Sequence, residues 1–197
     1  MYAIGHFALG YLTGKGSSSL LKTKINLPLL LFASVLPDVD LIPQMVNSDL
    51  FMHRGPLHSI ITFTVLMIPF FIIYRKQTVP YYAVLLSHSL IGDFFTGGVE
   101  LLWPLSQGWF GNLMVEVGSF ADIIIELCLF AVSTAIMFKA KDLQALLQLK
   151  PKKQDLALLV GFTSILGPLL LFGRDTEASL PALLVAPSVF WLILLSY

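Results

Sequence analysis

Charge is what this chain has least of. Of its 197 residues only 12% are Asp, Glu, Lys or Arg, against about a quarter in a soluble domain of ordinary composition. The deficit falls in long apolar runs, and 56% of the chain is hydrophobic. One soluble core of this length could not hide so much apolar surface, so lipid must be the solvent for much of it. A basic excess is missing as well. The 12 Lys and Arg balance the 12 Asp and Glu, which excludes the electrostatic footprint that nucleic acid requires. With one cysteine, Cys128, no internal disulfide can form, and its place in an apolar run predicts a small buried packing residue. No Lys or Arg precedes the first apolar stretch, residues 2–13. A cleaved signal peptide carries a positive leading region, so this segment is expected to stay in the mature protein. Walker loops, dinucleotide fingerprints and serine-nucleophile elbows are all absent.

What is present is a series of apolar runs. A helix needs roughly 20 apolar residues to cross about 30 Å of hydrocarbon. Residues 26–46, 57–74, 79–102, 118–138, 155–172 and 178–196 meet that length. Residues 2–13 are too short to cross alone and are expected to be half-buried. The predicted fold is therefore all-α: a polytopic transmembrane bundle of about six spanning helices plus a short N-terminal helix. No repeat, low-complexity tract or linker divides it, so 1–197 reads as one integral-membrane domain.

Orientation follows from the basic residues. Lys15, Lys22 and Lys24 share one loop, Arg75 and Lys76 a second, and Lys139, Lys141, Lys150, Lys152 and Lys153 a third, leaving only Arg54 and Arg174 of the 12 elsewhere. Alternating spans put all three loops on one side, and the positive-inside rule makes that side cytoplasmic. The protein is thus expected in the cell membrane, multi-pass, with loops 15–24, 75–78 and 139–153 cytoplasmic. Trp103, Trp109 and Phe110 then fall in an outer connection, at headgroup level.

Ionisable side chains inside spans are costly and by default mark function. Counted at about 1.5 Å per helical residue from the nearest inner basic residue, His6 lies about 14 Å deep, Asp38 about 21 Å, Asp40 about 24 Å, His58 about 26 Å and His88 about 18 Å. Asp93, Asp122 and Glu126 come out near 26, 26 and 20 Å by the same rise, roughly. Different segments therefore bring imidazoles and carboxylates to one zone. Unpaired carboxylates there would be protonated or would need a cation, and His with Asp is a usual ligand mixture for zinc, manganese or iron.

Local sequence sharpens the set. Pro37 should bend or break the chain just before Asp38-Val39-Asp40. In His53-Arg54-Gly55-Pro56-Leu57-His58, His53 falls in a loop and His58 on the first turn of the next helix. His88 and Asp93 are five apart, roughly 140° around an ideal helix. They can face one ion only if the helix is distorted, and Gly92 offers a place for that. Asp122 and Glu126, four apart, share a face. Arg54 beside ligand-like residues is shaped to hold a phosphate or carboxylate bidentately. Ser59, Ser87 and Ser89 are expected to be packing or supporting donors. Gly10 and Gly14 make a small-xxx-small spacing.

These pieces, in this order, resemble a known family. His6, Leu36-Pro37-Asp38-Val39-Asp40, His53 through Ser59, Ser87-His88 followed by Asp93, and Leu101-Leu102-Trp103-Pro104-Leu105-Ser106 are similar to the YdjM-like membrane-bound metal-dependent hydrolases. The likeness covers roughly residues 1–110, with 111–197 as additional spans. It implies a metal-dependent hydrolase of the membrane acting on a lipid or phosphoester with a metal-activated water.

The expected metal ligands are His6, Asp38, Asp40, His53, His58, His88 and Asp93. The expected catalytic residues are Asp38 or Asp40 as base and Arg54 on the substrate. These seven exceed the four ligands that one zinc takes. The cofactor is therefore one or two divalent ions, zinc in the first place, with manganese or iron as alternatives. The partners are membrane lipid and a small or lipidic substrate, and no nucleic acid. The alternative reading is a divalent-cation transporter or channel using the same intramembrane cluster. The oligomeric state is not legible in the sequence.

Overall fold

The computed structural model describes residues 1–41 and 53–147. The expected spans 155–172 and 178–196 lie outside these residues. Among the described residues the chain is helical and contains no strand. Backbone pairing of β type is limited to two isolated antiparallel bridges, Thr96 with Leu113 and Val99 with Phe110.

The first segment departs from expectation. Ala3–Leu21 (α1) is a helix of 19 residues, and Ile4 through Tyr11 are all buried in it. It is the central helix of the bundle, not a short half-buried piece, because helix-compatible residues continue unbroken past Thr13. It ends where Lys22 turns left-handed, φ 50°, with its N–H returning to the Ser18 and Ser19 carbonyls. Leu27–Val35 (α2) packs along it at close range. A Cβ added at Gly14 would lie 2.5 Å from Leu30 Cδ1, and one at Gly10 would collide with Ser34 Cβ. The small-xxx-small spacing is thus used within the chain, to seat α2 on α1.

The asparagine at position 26 starts α2, its side chain accepting the Leu29 N–H at 3.0 Å, as an N-cap should. Pro37 ends it, since a proline cannot donate and clashes with the preceding turn. The chain passes instead into a 3-10 turn, Pro37–Asp40. Of the expected span 26–46, α2 covers nine residues before this turn, and 42–46 lie outside the described residues.

Ile60–Tyr74 (α3) is capped by Ser59, whose Oγ accepts from Ile61 N at 3.1 Å and Thr62 N at 3.4 Å. The same hydroxyl donates to the Trp103 carbonyl at 2.6 Å. His58 therefore sits just ahead of the helix, in the turn Pro56–His58, and not on its first turn. At Arg75, φ 51°, the chain folds back into Val79–Ser87 (α4). Thr78 Oγ1 donates to the Phe70 carbonyl at 2.8 Å, and the Thr64 and Tyr82 hydroxyls meet at 2.7 Å. Helix α4 runs on into a π-helical turn, His88–Asp93, in which the Phe94 N–H reaches the Ser89 carbonyl at 3.1 Å. Phe120–Lys139 (α5) begins at Ser119, which caps Asp122 N. It ends on Lys139, so Asp122 and Lys139 oppose the helix dipole at the two ends. Asp142–Leu147 (α6) is a short helix tied to α1 by hydrogen bonds from Tyr11 and Lys15 to Asp142.

Two helical runs among the described residues, not about six, are long and apolar enough to cross a membrane. They are Ile60–Asp93, which is 34 residues and includes the fold-back at Arg75, and Phe120–Lys139, which is 20. Their outer faces are what lipid demands: Ile72 is 72% and Phe138 67% exposed. Cys128 is exposed on α5, contrary to the buried position expected, because it lies on that outer face. Inside, Phe7, Tyr11, Leu31, Val35, Met137 and Leu146 join α1, α2, α5 and α6. Leu30, Ala33, Phe63, Val84 and Leu85 join α2, α3 and α4. Helices α1 and α3 begin, and α2 and α4 end, at one end of this bundle. The polar residues gather there.

Candidate metal centre

Each element delivers its polar residue by a local break. The turn after α2 presents Asp38 and Asp40, and the turn before α3 presents His58. The π turn presents His88 and Asp93. In a regular α-helix residues five apart diverge, but the wider π turn brings them back toward one side. His88 Nε2 accordingly stands 3.3 Å from Asp93 Oδ2. Gly92 supplies room, although not as a kink. A Cβ there would lie 2.5 Å from His6 Cε1, so the missing side chain is where the His6 ring sits. His6 in turn stacks on His88, ring centroids 3.7 Å apart and planes at 14°.

Four atoms from three segments converge. His58 Nε2 is 3.5 Å from Asp38 Oδ1, 3.2 Å from Asp93 Oδ2 and 3.2 Å from His88 Nε2. His88 Nε2 is 3.3 Å from both Asp38 Oδ1 and Asp93 Oδ2. A tetrahedron with arms of about 2.0–2.1 Å, the length of zinc–imidazole and zinc–carboxylate bonds, has edges of about 3.3–3.4 Å. The spacing thus fits a single four-coordinate ion.

The chemistry of the donors agrees with that fit. His88 Nδ1 lies 2.7 Å from the Ser34 carbonyl, an acceptor, so that nitrogen carries the proton and Nε2 carries a lone pair. Asp40 Oδ2 lies 3.1 Å from His58 Nδ1, a charge contact that favours a proton on that nitrogen, although the two do not meet in hydrogen-bond geometry. Two imidazole lone pairs face to face at 3.2 Å repel unless a cation lies between them. Asp93 Oδ2 is buried and has no hydrogen-bond partner among the described residues, another group that a cation would satisfy. Asp38, Asp40 and Asp93 bring three carboxylates, and Arg54 the one guanidinium, so the buried cluster is short of permanent side-chain positive charge. Two overlapping sets could hold a metal ion: His6, Asp38, His88 and Asp93, and Asp38, His53 and His58.

Around the four atoms stands a supporting layer. His53 Nδ1 lies 2.8 Å from Asp40 Oδ1, its side chain 25% exposed where His58 is 0%. Arg54 holds a left-handed backbone, φ 66°, uncommon away from glycine. That conformation is fixed by Asp40 Oδ2, which accepts the Arg54 N–H at 3.2 Å, and by the Glu100 N–H on its carbonyl at 2.9 Å. The Arg54 guanidinium is already engaged: 3.2 Å to Asp93 Oδ1, 2.8 Å to the Thr96 carbonyl and 3.1 Å to Thr96 Oγ1. It therefore braces Asp93, with donors left on the fork for an anionic oxygen.

His6, Asp38, Asp40, His53, Arg54, His58, His88 and Asp93 are thus brought together, His6 Nε2 lying 3.8 Å from Asp93 Oδ1. Asp122 and Glu126 are not among them. Asp122 Oδ2 accepts the Gly118 N–H at 2.9 Å, and Glu126, fully buried, accepts the Tyr2 N–H at the start of α1. Equal depth alone had suggested these two, and depth carries no lateral information. Ser34 and Thr96 were not anticipated. Thr96, three residues beyond Asp93 and next to the Gly97-Gly98 turn, carried a signal that could have been read. Ser34 acts through its carbonyl and carried none.

No curated protein and no solved structure matches this chain. A family model does, described as YdjM inner membrane protein, over residues 1–172. The match reaches well past the roughly 110 residues on which the sequence motifs lie and takes in α5, α6 and residues beyond. The chain therefore belongs to the YdjM inner membrane protein family.

Proposed function

We propose that the protein is a metal-dependent hydrolase of the membrane, with zinc held by Asp38, His58, His88 and Asp93 and a lipid or phosphoester as substrate. The observation that carries this reading is the set of five distances, 3.2–3.5 Å, among those four ligand atoms. When bound, the ion supplies Lewis-acid polarisation and water activation. Asp40 and His53 form a carboxylate–imidazole pair, and His53 is the more accessible of the two, so it is placed to take a proton from water at its free nitrogen. Arg54 keeps one oxygen of Asp93 engaged so that the other faces the ion, and its remaining donors meet a substrate phosphate.

The orientation belongs to the same proposal. Loops 15–24, 75–78 and 139–153 are cytoplasmic. Two contacts support a shared side: Lys15 pairs with Asp142, and Lys24, Tyr74 and Gln77 line the end of one cavity.

The test is metal content by mass spectrometry on the purified full chain, prepared without chelators, followed by turnover of phosphoester and phospholipid substrates. Stoichiometric zinc, with turnover lost on chelation and restored by zinc, is the expected result. Stoichiometric metal with no turnover of any ester, but with metal-dependent flux into vesicles, would favour the cation-transport alternative. Absence of bound metal would remove both.

A further inference from the structure

An apolar cavity of about 730 Å³ runs beside the cluster between α2, α3 and α4. Small-molecule sites span about 300–1,000 Å³, so its size is that of a ligand site and not of a packing defect. Its position is informative. Val39, between Asp38 and Asp40, and Leu57, next to His58, line one end, and Phe63 and Leu66 line the middle. The other end is lined by Tyr74 and Lys24. The walls are apolar along the whole length and turn polar only at that far end. From Phe63 to Tyr74 helix α3 rises about 16 Å at about 1.5 Å per residue. One leaflet of a bilayer is about 15 Å deep, half of a hydrocarbon core of about 30 Å. Leu66 is 55% exposed on a helix whose outer face is apolar, so the cavity opens toward lipid.

Resting on the hydrolase reading, we infer that this cavity is the subsite for an acyl chain, and that the substrate is a phospholipid whose polar end lies at the Asp38–His58 cluster and whose tail lies along α3 toward Tyr74. The occupant follows from three features: walls that are apolar from Val39 and Leu57 past Phe63, Leu66, Met67 and Phe70 and turn polar only at Lys24, Tyr74, Gln77, Thr78 and Tyr81, direct continuity with the cluster through Val39 and Leu57, and exposure of the rim on a membrane-facing helix. A soluble phosphoester would use the cluster and leave the cavity without a role.

The experiment uses the full chain reconstituted in phosphatidylethanolamine–phosphatidylglycerol vesicles. A trace of phosphatidylglycerol carrying a diazirine midway along one acyl chain is added, and adducts are mapped by mass spectrometry after irradiation. Adducts are expected on Phe63 and Leu66 in excess over the outward residues Ile68 and Ile72. Leu66→Trp fills the cavity. Each methylene excluded from an apolar site costs about fourfold in affinity, so losing two or three should lower cavity adducts about tenfold or more. Ile68→Trp, the same change on the outer face, should leave them unaltered. Equal labelling of both faces, labelling indifferent to Leu66→Trp, or crosslinks from a photoreactive residue at position 66 to residues 155–196 of the chain itself would overturn the inference. Metal content read on the same samples separates the two proposals. Cavity labelling without metal would sustain the acyl-chain subsite and remove the hydrolase reading. Bound metal with uniform labelling would do the reverse.

Discussion

At the scale of single residues, the centre is built from side chains whose second atoms are spoken for. His88 is turned by the Ser34 carbonyl and Asp93 by Arg54, and the Asp40 carboxylate stands 3.1 Å from the second nitrogen of His58, so that one nitrogen or oxygen of each is left facing the common point. Removing such an orienting partner typically costs about 10–100-fold in metal affinity. Asp40→Asn is therefore expected to weaken metal binding by about that factor while His58→Ala abolishes stoichiometric binding, both measurable by competition with a chromogenic chelator. Equal affinity in wild type and His58→Ala would take His58 out of the site. Arg54→Lys keeps a cation near Asp93 but gives up the planar fork. Its metal content should hold while KM for a phosphoester rises, and unchanged kinetics would end the substrate role given to Arg54. Gly92→Ala is a packing change alone. With His6 Cε1 2.5 Å from the added carbon, it should destabilise by about 1–3 kcal/mol, visible as a lowered thermal midpoint in detergent. A wild-type midpoint would mean that His6 can move aside.

At the scale of elements, the interruptions matter more than the helices. All four converging ligand atoms lie where α-helical geometry fails: the 3-10 turn Pro37–Asp40, the turn Pro56–His58 and the π turn His88–Asp93. Irregular backbone at membrane depth persists only where protein or a cavity satisfies it. Here Ser59 does part of that, bonding the start of α3 and the connection at Trp103 at once. A π turn is an α-helix with one residue inserted. Deleting the exposed Leu90 should return the segment to α-helix with His88 and the aspartate four apart and still on one face. Metal should be retained in that deletion. Its loss would show that the π turn sets a position that the regular helix cannot reproduce.

At the scale of the molecule, alternating helix directions explain why residues far apart in sequence share a depth. Helices α1 to α4 put their cluster-bearing ends together and their basic ends opposite, with Lys15, Lys24 and Tyr74 at the far side. A cysteine replacing Lys150, in a chain with Cys128→Ser to remove the exposed thiol, should react with a membrane-impermeant maleimide only when the cytoplasmic face is open. Labelling in intact cells would invert the orientation.

The membrane class, the helical content and the list of candidate ligands were legible in the residues themselves, because composition sets the solvent and because His, Asp and Arg are conspicuous in apolar runs. The break at Pro37 was legible for the same reason, since a proline's missing donor is a local fact. The central place of α1, the number of helices long enough to cross and the exposure of Cys128 were not, because each depends on which face of a helix its neighbours cover. Nor could depth alone separate Asp38, His58, His88 and Asp93 from Asp122 and Glu126, which only the family-like motifs left out of the expected ligands. A residue's number along a helix gives its depth, but only packing gives its azimuth. The tertiary structure supplied that second coordinate, joining His88 to Asp93 through a π turn and sending Glu126 to the start of α1.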